Sequence, residues 1–189
     1  MDWTLFHAVN DLQGRTGWAH SSMRFVAKDG IALFAVLLVV GWLVGRGRGA
    51  RVVAGAVSAG AAALVALAVN QLIGNIVDRA RPYTTHAGVR LLVARTSDFS
   101  FPSDHAAVAG AVAMGLLLVE RRLGLVAVAA ALVMAFARVY VGAHYPGDVV
   151  GGLAVGAITA VALDALAVRL LVPVIERLGA TRLRPLVRA

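Results

Sequence analysis

Residues 101–148 read FPSDHAAVAGAVAMGLLLVERRLGLVAVAAALVMAFARVYVGAHYPGD, and this stretch decides the fold. It contains two apolar runs, near 102–119 and 124–142, broken by Glu120, Arg121 and Arg122. Each approaches the ~20 residues that an α-helix needs to cross a bilayer, so the pattern predicts a membrane hairpin. A hairpin returns both ends to one side. Ser103, Asp104 and His105 at the start therefore share a side with Arg138, His144 and Asp148 at the finish.

Similar runs lie near 30–45, 52–77 and 147–172, which makes five spans. The whole chain is 60% hydrophobic with a mean hydropathy of +0.81, above the roughly half-apolar composition of soluble domains. The expected fold is an all-α integral membrane bundle of about five to six helices with an amphipathic N-terminal segment. One membrane domain covers 1–189: an interfacial segment over 1–29, a transmembrane bundle over 30–172 and a basic tail over 173–189. In the first segment Trp3, Phe6, Val9 and Leu12 recur at roughly helical spacing, which fits one or two helices lying on the membrane, or else a plain N-terminal lid. The first apolar run follows a polar segment and precedes no small-residue cleavage site, so no cleaved signal peptide is expected. Ala54, Gly55, Ser58, Ala59, Ala62, Gly152 and Gly156 supply the small surfaces by which helices approach closely in lipid.

The net charge is +8, and Lys28 is the only lysine among the 18 basic residues. The arginines sit at the ends of apolar runs, a pattern that fits lipid head groups rather than nucleic acid. Five spans place Arg46, Arg48, Arg51, Arg121, Arg122, Arg177, Arg182, Arg184 and Arg188 on one side. Counting Lys and Arg puts that side in the cytoplasm. The Asp78–Ser100 loop and the 103–148 cluster then face outward. Cysteine is absent, which excludes disulfides and thiolate metal sites.

Pro102, Ser103 and Asp104 precede a helical run, the signature of a helix start. Taken alone, Ser103 reads as a cap. A helix N-terminus also offers free N–H groups to an anion. His105, in the first turn, can act as a proton donor. Arg138, near the outer end of its span, can snorkel to the interface or clamp phosphate oxygens with its planar fork. His144 and Asp148 are four apart, and if that turn is helical they share a face, so that Asp148 would hold one ring nitrogen and leave the other to attack. His86, His105, His144 and Asp148 could ligate a metal, but no strong zinc spacing is present. No metal and no cofactor are expected.

Arg81-Pro82, Pro-Ser-Asp-His at 102–105 and Arg-x5-His-x3-Asp at 138–148, each at the outer end of a span, resemble the type 2 phosphatidic acid phosphatase superfamily over roughly residues 70–155. "FPSDHA", "ARVYVGAHYPGDVVGG" and the earlier "MRFVAKDGIALFAV" look most like its bacterial undecaprenyl-diphosphatase branch. The resemblance implies metal-independent phosphate hydrolysis through a phosphohistidine. It implies His144 as nucleophile, Asp148 as its orienter and His105 as general acid, with Arg81, Ser103, Asp104 and Arg138 in the substrate site. The implied substrate is undecaprenyl diphosphate, or another lipid phosphate such as phosphatidic acid or phosphatidylglycerol phosphate. A non-catalytic lipid-binding relative is the remaining alternative. The family's first motif begins with a lysine seven residues before Arg81, and here that position is Gly74. Arg79, or else Arg90 or Arg95, is expected to supply the missing charge, because Lys28 lies far away in the sequence.

Overall fold

The computed structural model describes residues 1–188, and every regular element among them is helical. The order is α1 (Asp2–Asp11), α2 (His20–Asp29), α3 (Ile31–Arg48), α4 (Ala50–Val77), α5 (Pro82–Thr85), α6 (Asp104–Val119), α7 (Arg121–Tyr140), α8 (Pro146–Leu178) and α9 (Arg184–Val187). Two short 3-10 turns, Leu12–Gly14 and Gly17–Ala19, join α1 to α2. Helices α3, α4, α7 and α8 are long and apolar enough to cross a membrane. The fifth expected span, α6, is shorter at 16 residues and begins at Asp104.

Helix α6 is the axis of the bundle and packs against α3, α4, α7 and α8. Ala107, Ala109, Ala111 and Val112 on it are buried in one apolar cluster with Ala62 and Ala66 of α4, while Ala106 packs toward α8 at Gly152. In lipid, burying apolar surface gives little drive, so close contact has to supply the attraction. The backbones of α6 and α8 approach so closely that a Cβ on Gly156 would sit 2.6 Å from the Ala111 nitrogen. Larger apolar side chains such as Leu64, Leu72, Ile76, Leu132 and Ile158 stay exposed on the outer faces, as a lipid-facing surface requires.

Helix α4 ends at Asp78, which takes the left-handed conformation (φ 47°). Arg81 is then extended and Pro82 occupies the first position of α5, so the chain breaks where Arg81-Pro82 predicts. The long loop folds back across the bundle end. Leu92 N donates to Val141 O (3.0 Å) and Ser100 N to Arg79 O (2.8 Å).

Two terminal segments make contacts that the sequence does not signal. The segment at 1–29 forms two helices, but it clamps the site end of the bundle rather than only lying on lipid. Phe6, Asn10 and Gln13 are buried, and the Asn10 amide donates to Arg90 O (2.9 Å) and Tyr140 O (3.1 Å). Trp18, by contrast, is 86% exposed. Periodicity registers the apolar face, but it carries no signal for carboxamides that satisfy carbonyls at the end of another helix. The basic tail is also not a free tail. Helix α8 continues through Pro173 to Leu178, since proline removes only one bond of the helical ladder and neighbouring helices compensate. Helix α9 then folds back, with Val187 buried against Val53, Ala54 and Ile175 and Leu186 O accepting from the Trp42 indole (2.9 Å). At this end Arg51 grips Asp164 with both Nη atoms (2.8 and 2.7 Å), joining α4 to α8.

Candidate active site

Tyr145 is the N-cap of α8, with extended backbone, and Pro146 follows at the first helical position. Asp148, at the third, accepts from Tyr145 N (2.8 Å), which closes a capping box. His144 therefore lies outside the helix. The expected helical face shared by His144 and Asp148 is not what brings them together, because proline geometry forces the preceding residues out of the α region. The His144 Nδ1 instead faces Ser100 O at 2.7 Å, with Asp148 Oδ2 3.7 Å away. A carbonyl only accepts, so Nδ1 carries the proton and the lone pair resides on Nε2.

That Nε2 faces two guanidiniums, Arg138 Nη2 at 3.0 Å and Arg81 Nη1 at 3.2 Å. Both arginines are themselves fixed. Arg138 Nη1 donates to Ala27 O (2.9 Å). Arg81 donates to Ala143 O (3.0 Å) and Asp98 O (3.2 Å), and pairs with Asp98 Oδ2 at 3.0 Å. The buried atoms Ser103 Oγ and Arg138 Nε have no hydrogen-bond partner among the described residues. Buried donors without partners are costly, and Arg138, whose Nε is one of them, lines the cavity described next, where an anion's oxygens could satisfy it.

Arg81, His105, Arg138, His144 and Asp104 line one cavity of about 460 Å³. The four groups on which the sequence reading depends, at 81, 105, 138 and 144, therefore do meet around one hollow. Ser103 sits just behind it, its N–H donating to Asp148 O (3.0 Å). Asp104 does not present its carboxylate as an anion binder. Asn70 and Gln71 of α4 hold it, donating at 2.7 and 3.0 Å.

Arg79 departs from expectation. It lies behind Asp148, to which it donates at 2.7 Å, and its other Nη reaches Asp2 at 2.6 Å. Its charge is committed to two carboxylates and does not stand in for the missing lysine. The cations that do line the cavity in addition to the motif arginines are Arg24 and Lys28 of α2. Sequence distance hid Lys28, since nothing local signals that α2 folds over the mouth. Sequence reasoning also passed over Ser100, which orients His144 through its carbonyl and anchors Asp148 through its hydroxyl (2.5 Å), and Asp98, the brace of Arg81. Their one signal was proximity to the 102–105 motif within a polar loop.

Burial above all lowers the His144 pKa from 6.5 to about 4; Arg138 and Arg81 act in the same direction and Asp148 opposes them. The free imidazole is thus the resting form at neutral pH, as a nucleophile needs. A group whose pKa is lowered keeps its neutral form as pH falls past the ordinary value. The acid limb of kcat/KM assigned to His144 should therefore lie near pH 4–5, and an initial-rate pH profile showing that limb at 6.5 would contradict the geometry.

Known proteins bear out the family reading. A profile described as the PAP2 superfamily matches residues 55–170. The chain is 33% identical to undecaprenyl-diphosphatase BcrC of Bacillus subtilis, over 84% of this chain and 80% of that one. It is 34% identical to the putative undecaprenyl-diphosphatase YbjG of Escherichia coli, over 82% and 77%. The crystal structure of Aquifex aeolicus LpxE shares the fold, with a TM-score of 0.66 at 23% identity over 85% of this chain and 93% of that one. With four membrane-length helices, the molecule is a multi-pass membrane protein.

Proposed function

We propose, from the premise that this chain belongs to the PAP2 superfamily and so to a family of lipid phosphatases, that it removes the terminal phosphate of undecaprenyl diphosphate through a phosphohistidine on His144. The observation that carries this reading is the His144 ring itself. One nitrogen is pinned on Ser100 O, and the other is aimed between Arg81 and Arg138 into the cavity.

The terminal phosphoryl oxygens occupy the space between the two guanidiniums and the Ser103 hydroxyl, displacing the arginines' contact with Nε2. The Nε2 lone pair attacks phosphorus, and the bond to the bridging oxygen breaks. That oxygen leaves with undecaprenyl phosphate, taking a proton from His105, which is thereby left as a free base. Water deprotonated by His105 then attacks the phosphohistidine, inorganic phosphate leaves, and His144 returns to its neutral form. Phosphoryl transfer asks chiefly for positioning and for charge opposite the equatorial oxygens, and Arg81 and Arg138 supply both. Asp148 and Ser100 fix the ring. The names of the two relatives given above favour undecaprenyl diphosphate over other lipid phosphates, and the arginine count at the opposite end of the bundle favours a site facing outward across a bacterial inner membrane.

The test is inorganic phosphate release by the detergent-purified chain, with EDTA present, from undecaprenyl diphosphate, phosphatidic acid and phosphatidylglycerol phosphate. The expected result is metal-independent turnover with the highest kcat/KM on the diphosphate. A higher value on either of the other lipids would transfer the assignment to that lipid. Binding without turnover would make the chain a non-catalytic relative, and loss of turnover in EDTA would overturn the metal-free mechanism.

A further inference from the structure

The cavity contains two cations that the chemistry above does not use. Arg24 and Lys28 both line it, and their i, i+4 spacing on α2 puts them on one face. Among the described residues neither forms an ion pair or a side-chain hydrogen bond, in contrast to Arg79 and Arg81. The cavity's two carboxylates are already engaged, Asp98 by Arg81 and Asp104 by Asn70 and Gln71. Helix α4 adds no charge at the position of the missing lysine. Gly74 of α4 lines the same cavity, and a Cβ there would already lie 3.3 Å from the Phe99 ring.

Helix α2 is also not loosely placed. Ala27 is fully buried against Ala137, Tyr140, Val141 and Ala143, and its carbonyl accepts from the guanidinium that touches His144 Nε2. One arginine side chain therefore spans the gap between the nucleophile and the backbone beside Lys28. An anion one phosphoanhydride bond away from the group under attack falls within reach of that side of the cavity.

We propose that Lys28 and Arg24 bind the second, lipid-proximal phosphate of a diphosphate substrate, so that the N-terminal helix α2 selects diphosphates over monophosphates. The proposal rests on the phosphatase reading and refines it. Arg81 and Arg138 hold the phosphoryl group that moves to His144, while Lys28 and Arg24 hold the phosphate that departs with the lipid. When the bridging bond breaks, its electron pair stays on the bridging oxygen, and the added negative charge develops beside the two α2 cations. A monophosphate substrate has no group there.

The test compares kcat/KM for farnesyl diphosphate and farnesyl monophosphate, two probes with one tail, on the full chain in detergent. Where monophosphate turnover is too slow to follow, its inhibition constant against the diphosphate takes the place of its kcat/KM. A charge-assisted contact of this kind is expected to shift the diphosphate-to-monophosphate ratio by about 10- to 100-fold. Lys28→Ala should lower the ratio by that amount, the Arg24→Ala/Lys28→Ala double variant should lower it further, and Lys28→Arg should retain most of it. A double variant whose ratio equals that of wild type overturns the proposal, whether both rates fall together or neither changes. His144→Ala serves as the separate control. If wild type and His144→Ala release phosphate equally, the phosphohistidine reading on which this site rests falls; if only the ratio fails to move, the role of α2 falls alone.

Discussion

Replacing His144 with alanine should lower phosphate release by about 10⁴-fold or more, since removing a nucleophile removes the covalent route entirely and leaves only what binding and charge can do. The side chain is 2% exposed and makes its polar contacts with Ser100 O, Arg81 and Arg138. The variant leaves those two guanidiniums free to hold substrate. KM should therefore change far less than kcat. Rapid quenching without acid should trap labelled phosphate on wild type and none on the variant. Hydrolysis by the variant within tenfold of wild type would move the nucleophile elsewhere and end the phosphohistidine reading.

The second large effect is expected at Asp148. This carboxylate is fully buried and accepts from Arg79, Ser100 and Tyr145 N at 2.7, 2.5 and 2.8 Å. Asp148→Ala leaves three donors without their acceptor, one of them charged. Arg79 keeps Asp2 as a partner and is partly exposed, so the cost falls mainly on the Ser100 hydroxyl and Tyr145 N–H, at about 1–3 kcal/mol for each donor left unsatisfied. The same change frees Ser100, whose carbonyl orients the His144 ring. Thermal unfolding in detergent should show the loss of stability. At a temperature where the variant stays folded, kcat should still fall by about 10³-fold through the loss of ring orientation. A variant that melts with wild type and keeps its kcat would remove Asp148 from the site.

The legible part of this molecule was whatever repeats or punctuates. Runs of Ala, Val and Leu gave the long helices, because crossing a bilayer demands length and apolar content. Arg81, His105, Arg138 and His144 were legible as polar residues at the ends of those runs, where only chemistry or snorkelling explains them. What escaped were contacts made by groups without a distinctive pattern. Ser100 acts through its carbonyl, which any residue possesses. Lys28 reaches the cavity only because α2 packs on α7 and the Arg138 side chain ties Ala27 to the site. Nothing local marks Asp2, yet its carboxylate bridges Arg79 and the Gly147 N–H at 2.6 and 2.8 Å, linking the first turn of the chain to the capping box of α8. Arg79 failed for the opposite reason. Its position two residues from Arg81 looked sufficient, but Asp2 and Asp148, distant in sequence, both take its guanidinium behind the histidine.

The shortness of α6 also determines depth. Asp104, its first residue, is level with Asn70 and Gln71 of α4 rather than with Val77 at that helix's end. Seven residues of helix separate Asn70 from Val77, a descent of about 10 Å. The floor of the reaction chamber is therefore sunk in a well whose rim is the taller α4. A head group anchored in the leaflet can bend down into such a well while its tail remains in the acyl layer. A water-soluble phosphate ester must make the same descent untethered, so the step in height between two adjacent helices is expected to favour lipids over soluble esters, a preference that phosphate release from a lipid and a short-chain ester would check.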